Sequence, residues 1–491
     1  MYHKPSKRVI FFRRIIVLTI MWIAVSAGVI VLFALTLGYS FNQKSGHIEQ
    51  GGILQMSSQP GGATIFLNDQ QFSSQTPTKF VAQPGTVSVK MQKSGYHDWQ
   101  KQVPIQPGNI TWAAYPRLIP QKPTPTSALT LPSSLSGGLS SPGNNYYAFA
   151  PKADESLFTI ADISSDTVQT KSVTLPSSVV TQPPEGTPQS YEVTLWSGDE
   201  KSLLIKHTYG DTAEWIVLPL AEPDKATNLT TFFGLRSSKV VFASSDGRKL
   251  FEQDGDSVRL MNLEDQTVSR PYVSGVSDFR LYDGETVLYS SQPKDGVQQI
   301  GYVKKDFKSP IVLVSHTYDG THLVKFDMSK YYDTYNILVG AGTEAILYTT
   351  KSLPTSLAEV NKFSPTRLLS LISPRPLTSL NLTENGQFAT IQDGSSLVTH
   401  NLEIKKTTSV VVGSVDQPQE FKYLDTYLLW GMRAGQLRTV EFDGENQHDI
   451  MPVDPRFDVS LSRSGKYLYG VAKKADGAYE LRRVQLLDIP T

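Results

Sequence analysis

Apolar and polar positions fall along this 491-residue chain in three regimes. The first is an unbroken apolar run from Ile15 to Tyr39, without charge or proline. About twenty apolar residues, at 1.5 Å of helical rise each, cross the hydrocarbon core of a bilayer, so residues 15–39 are expected to form one transmembrane helix. The second regime, residues 52–118, alternates apolar and polar positions in short stretches broken by turn residues. That alternation predicts strands over 52–57, 64–67 and 86–90 and another from Trp99 to Ile105. Turns are expected at Pro60-Gly61-Gly62-Ala63, Asn68-Asp69, Thr76-Pro77, Pro84-Gly85 and Gly95-Tyr96. The third regime, from Gly143 onward, repeats one unit: a polar turn, an apolar strand of about five residues, a second turn and a second strand.

The repeated turns fall at Gly143-Asn144, Gly198-Asp199, Asp246-Gly247, Asp283-Gly284, Asp333, Asn385-Gly386, Asp425 and Ser464-Gly465, spaced 37 to 55 residues apart. A period near 45 residues built of short strands predicts a β-propeller over 128–491, one four-stranded blade per unit. Eight units predict eight blades, with seven as the alternative. The last unit offers three strands, and a ring leaves no free edge, so 128–131 is the candidate for its fourth. A short helix is expected only within 355–371. Polar residues 40–51 form a juxtamembrane spacer, and the Pro-rich segment 119–127 an extended linker. The fold class is therefore all-β after one helix: a small β-sandwich, then a propeller.

Two resemblances are carried by these residues. The order Ser-x-Pro60-Gly61-Gly62-Ala63, strand, Asn-Asp turn, Thr76-Pro77, Pro84-Gly85, then Gly95-Tyr96 and Trp99 resembles the PEGA domain, a small β-sandwich of exported or surface proteins. The family's glutamate position is Gly61 here. The resemblance implies structural roles for Pro60, Gly62, Ala63, Thr76, Pro77, Pro84, Gly85, Gly95, Tyr96 and Trp99, an adhesive or envelope-binding module, and no catalysis. The units LWSGDEKSLLI and SLSRSGKYLYGV resemble the W-S-P-D-G-K signature of TolB-like propellers.

Charge gives orientation. Lys4, Lys7, Arg8, Arg13 and Arg14 precede the apolar run with no acid among them, so residues 1–14 are expected in the cytoplasm and everything after Tyr39 outside. A cleaved signal would have a shorter apolar core and a small-residue cleavage site, which the exit TLGYSFNQ lacks. Without those five cations, 41 basic residues face 46 acidic ones, and an acidic exported body argues against nucleic acid. The absence of cysteine excludes disulfides, zinc thiolates and thiol nucleophiles.

No nucleophile elbow, phosphate loop, dinucleotide fingerprint or zincin helix is present. The Asp-Gly pairs lack the spacing of a calcium loop and read as turns; Asp254-Gly255-Asp256 is a fragment, and His316 and His322 are poorly spaced for zinc. Asn109, Asn228 and Asn381 open glycosylation sequons. Trp196, Trp215 and Trp430 read as core. No catalytic residue, cofactor or metal ligand is assigned. The expectation is a single-pass, plasma-membrane-anchored extracytoplasmic binding or scaffold protein of a prokaryote, its propeller recognising a protein or cell-envelope glycan. The alternative is a propeller enzyme, a lactonase-like hydrolase with a metal in its funnel. A sensor role is weakened by a cytoplasmic tail of only 14 residues.

Overall fold

A computed structural model describes residues 7–36, 39–41, 48–152, 155–412 and 420–488. The chain divides into two compact units, residues 1–122 and 123–489. Lys4, the middle of the expected spacer and the last three residues of the expected propeller lie outside the described residues.

The helix of the first unit runs Lys7–Thr36, and its stretch Phe11–Ala34 has a mean hydropathy of 2.8 with none of it buried by protein. An apolar, unpacked surface of that length suits hydrocarbon. The helix starts eight residues before the expected Ile15. Lysine and arginine are good helix formers, so charge bounds the apolar stretch without ending the helix. Tyr39, expected to close it, instead opens a strand, Tyr39–Phe41, paired antiparallel with Ile48–Gln50 inside the expected spacer.

Residues 52–113 form two facing sheets. Gly52–Met56 lies between Thr78–Ala82, antiparallel, and Ile110–Ala113, parallel. The other sheet runs Gln70–Gln75, Thr64–Leu67, Gly85–Gln92, Trp99–Ile105. Leu54, Met56, Ile65, Val89 and Met91 are wholly buried between them. Three strands escaped the sequence pattern. Gln70–Gln75 is almost all polar and exposed, and Thr78–Ala82 and Ile110–Ala113 leave apolar residues, Val81, Ile110 and Trp112, facing solvent.

The second unit is a series of four-stranded antiparallel sheets in chain order, the architecture of a β-propeller; among the described residues there are eight. They span 135–174, 189–228, 237–268, 276–317, 325–372, 379–411 and 422–452, and the eighth joins 460–485 to Thr126–Leu131. First strands of neighbouring sheets touch, as Leu135–Ser140 does Gln189–Trp196 and Lys325–Tyr331 does Ser379–Leu382, so first strands lie innermost. Apolar clusters fill the space between consecutive sheets: Phe158, Trp196, Ile205 and Leu218 in one, Leu204, Trp215, Leu250 and Met261 in the next. Trp430 is buried too, so all three repeat tryptophans are core. The short helix expected within 355–371 covers Leu357–Val360 only; Thr366–Ile372 is a strand. A second one, Leu229–Phe233, is capped by the Asn228 side chain. The strand anticipated at 128–131 is Thr126–Leu131, which pairs antiparallel with Tyr479–Gln485 at the outer edge of the eighth sheet.

Candidate binding funnel

The repeated turns join the first and second strands of their sheets, so all lie at one end of the second unit and form a collar. Their chemistry is shared. The hydroxyls of Ser141, Ser197, Ser244, Thr383 and Ser462 each accept the backbone N–H five residues on, from Tyr146, Ser202, Lys249, Phe388 and Tyr467, at 2.9 to 3.0 Å. Three residues after each hydroxyl the backbone is left-handed: Asn144, Glu200, Gly247, Gly386 and Gly465 have φ between 56° and 73°. Asn and Gly tolerate that region, which explains the Asn-Gly, Asp-Gly and Ser-Gly pairs. In two further turns a carboxylate caps instead. Asp283 accepts from Glu285 and Thr286, and Asp425 from Tyr427 and Leu428, at 2.7 to 2.9 Å. The turn aspartates therefore stabilise turns, as the sequence implied. The capping serine or threonine was missed, although the three-residue offset to a left-handed position was available as a signal.

Cross-sheet bonds stiffen the collar and the strands beneath it. Glu200 accepts from the Gly143 N–H and the Asn145 amide at 2.6 and 2.7 Å, so the second sheet's turn grips the first. Asp199 N–H donates to Ser245 O at 2.8 Å. Lys239 reaches Asp278 at 2.7 Å and Phe279 O at 2.6 Å. Arg280 stands 3.7 Å from Asp327, which also accepts from Leu382 N–H at 2.8 Å. Ser140 donates to Asp458 at 2.7 Å, joining the first sheet to the eighth.

Inside the collar is a cavity of about 960 Å³, lined by the inner-strand ends of the fourth to seventh sheets and by Asn144 of the first. Its polar side chains include Arg280, Asp327, Lys330, Asn381, Glu384 and Asp425. Burial pushes the Asp327 carboxyl up, partly countered by the Leu382 N–H and Arg280. Burial would also raise Asp283, but the Glu285 and Thr286 N–H groups hold it below its ordinary value. Among the described residues no group of three His, Cys, Asp or Glu side chains is placed to hold a metal ion. His322 pairs with Asp319 at 2.7 Å, and Asp256 with Ser257 and the Gly275 N–H.

Two carboxylates lie deep among the sheets. Glu214 accepts from the Thr181 N–H and hydroxyl, the Asn228 amide and His207, at 2.6 to 3.0 Å. Burial acts to raise it, but those bonds bring it down to about 2. Asn228 is thus a buried structural amide, inaccessible as a glycosylation acceptor, whereas Asn109 is exposed. Glu252 is wholly buried with one donor, the Ser237 hydroxyl at 2.8 Å, and its Oε1 has no partner. Burial pushes it up to about 7.

In the first unit, the sequence-predicted residues gather around Thr76. Its hydroxyl meets Ser58 at 2.7 Å and accepts from Ala63 N–H at 2.9 Å; its carbonyl accepts from Gly62 N–H at 2.8 Å. Ser58 donates to Pro60 O at 2.7 Å, which ties Pro60, Gly62, Ala63 and Thr76, next to Pro77, into one knot. Gly62 and Gly95 have φ of 74° and 81°, and Gly85, after Pro84, 135°. Tyr96 and Trp99 are buried, the latter edge-on to Tyr115. A Cβ at Gly61 would find its nearest neighbour, the Thr76 carbonyl oxygen, 3.8 Å away, and the knot forms with glycine there.

Residues 51–117 match the family model described as PEGA domain. The helix before them fits a membrane anchor or a signal peptide, and the PEGA domain is an extracellular one. No curated protein matches the chain. Among solved structures, an oligogalacturonate lyase from Vibrio parahaemolyticus is similar over 69% of this chain and 99% of its own, at 12% identity and a TM-score of 0.41. The β-propeller domain of Cps50 (Swd1) from Myceliophteria thermophila is similar over 66% and 99%, at 10% identity and a TM-score of 0.41. A prolyl endopeptidase is similar over 70% of this chain but 55% of its own, at 12% identity and a TM-score of 0.45. At such identities the likeness concerns the fold alone.

Proposed function

We propose that this chain is a non-catalytic recognition protein anchored in the plasma membrane, its N-terminus cytoplasmic and everything after Tyr39 outside. The PEGA domain serves as stalk and envelope contact, and the propeller binds a protein or cell-envelope glycan at its collar end. The observation that carries this reading is the funnel. It offers about 960 Å³, within the range of ligand sites, ringed by polar groups from several sheets on a cross-bonded collar. Asp283 and Asp425 are spent on turn N–H groups and Asp327 on Arg280 and Leu382, leaving the side chains of Lys330, Asn381 and Glu384 for a ligand. The orientation rests on the basic residues before the helix.

A photo-crosslinking side chain placed at Thr426, on the funnel rim, and separately at Asp295, in the turn between the second and third strands at the other end, tests it in cells. Crosslinks from position 426 and not 295 are expected. Equal yields from both, or yield from 295 alone, would overturn the reading.

A further inference from the structure

Between the fourth and fifth sheets, beside the funnel, lies a second cleft of about 300 Å³. Three lysines line it, Lys304, Lys330 and Lys351, and no Asp or Glu does. Lys351 reaches Asp333 at 2.8 Å. Lys304 and Lys330 have no carboxylate within 4.0 Å among the described residues, and Lys330 sits over the Tyr335 ring at 5.0 Å. Asp283, near Lys304, is occupied by backbone N–H groups. Thr286, only 1% exposed, also borders the cleft, with its N–H held by Asp283 at 2.7 Å. Tyr282 and Tyr335, half-buried with ring centroids 6.3 Å apart, add ring surface and phenolic donors. Tyr282 and Lys330 also border the funnel, so one ligand can reach into both.

We propose that this cleft receives the anionic substituent of an acidic saccharide, a sugar ring bearing a carboxylate or a phosphate. The lysines take the anion through charge-assisted hydrogen bonds, and the tyrosines flank the ring. The proposal rests on the collar end being the recognition face and adds the ligand class.

Isothermal titration of the full chain in detergent micelles compares glucuronate, glucose 6-phosphate, glucose and inorganic phosphate. The acidic sugars are expected to bind at least about tenfold more tightly than glucose and to weaken as salt is raised. Lys304→Met with Lys330→Met should cost about tenfold, while Lys406→Met, on a distant outer strand, should cost nothing. The double variant should keep the ligand-free melting temperature of the wild type, which separates lost contact from lost fold. Glucose binding as well as glucuronate, inorganic phosphate as well as glucose 6-phosphate, or an unaffected double variant would each overturn the proposal. Rim crosslinks without affinity for acidic sugars would overturn it and leave the recognition head standing; absence of both would remove the two together.

Discussion

Glu214 and Glu252 sit on strands of adjacent sheets, both almost inaccessible to water, and yet their carboxyls are pushed in opposite directions, to about 2 and about 7. Glu214 collects bonds from a backbone N–H, a hydroxyl, an amide and an imidazole. Glu252 has one hydroxyl, and its second oxygen has nothing. Burial penalises the carboxylate at both places, so the number of donors decides which keeps its proton. The region around Glu214 is organised for a charge. The region around Glu252 merely tolerates an acid.

Removing the charge should therefore act in opposite directions. Glu214→Gln puts an amide where three side chains and a backbone N–H expect a carboxylate, and should cost about 3 kcal/mol of unfolding free energy at pH 7, read by urea denaturation. Glu252 should give stability a pH dependence. Its folded value, about 7, lies above the ordinary 4.5, so the unfolded chain releases the proton first as pH rises. Stability then falls between pH 4.5 and 7 and is flat on either side, a loss on the order of 3 kcal/mol. Glu252→Gln should abolish that slope and leave the protein about 2 kcal/mol more stable than wild type at pH 8. A retained slope would place the ionisation elsewhere. As a surface reference, Arg438 and Asp449 meet twice, at 2.7 and 2.8 Å, with the carboxylate half exposed. Arg438→Met should cost under about 1 kcal/mol, and less as salt is added.

Much of this architecture was legible beforehand. The apolar run, the turn residues from Pro60 to Trp99 and the recurring Asp-Gly pairs each have one physical meaning, and the structure places them accordingly. The missed strand Gln70–Gln75 gains its order from its neighbour Thr64–Leu67, because its own side chains bury little. The candidate sites were the least legible part. Lys304 and Lys330 lie on strands of two sheets and Lys351 just past the end of another strand, and each looks like an ordinary exposed lysine until the sheets are placed side by side. Glu214 and Glu252 occupy strand positions where a glutamate reads as solvent-facing. The groups that hold them, Thr181 and Asn228 for Glu214 and Ser237 for Glu252, lie 14 to 33 residues away, which no local pattern encodes.

The strand Thr126–Leu131 has a further consequence in time. It is synthesised before the rest of the propeller, but the strand it needs comes last: Thr126 meets Arg483 across 357 residues. Until then its hydrogen-bonding edge has no native partner, and closing so long a loop is entropically costly and slow. A growing chain therefore emerges as an open array of sheets that latches only when its final strand is released. Truncation before Tyr479 would remove that latch, leaving an otherwise complete protein with two sticky edges.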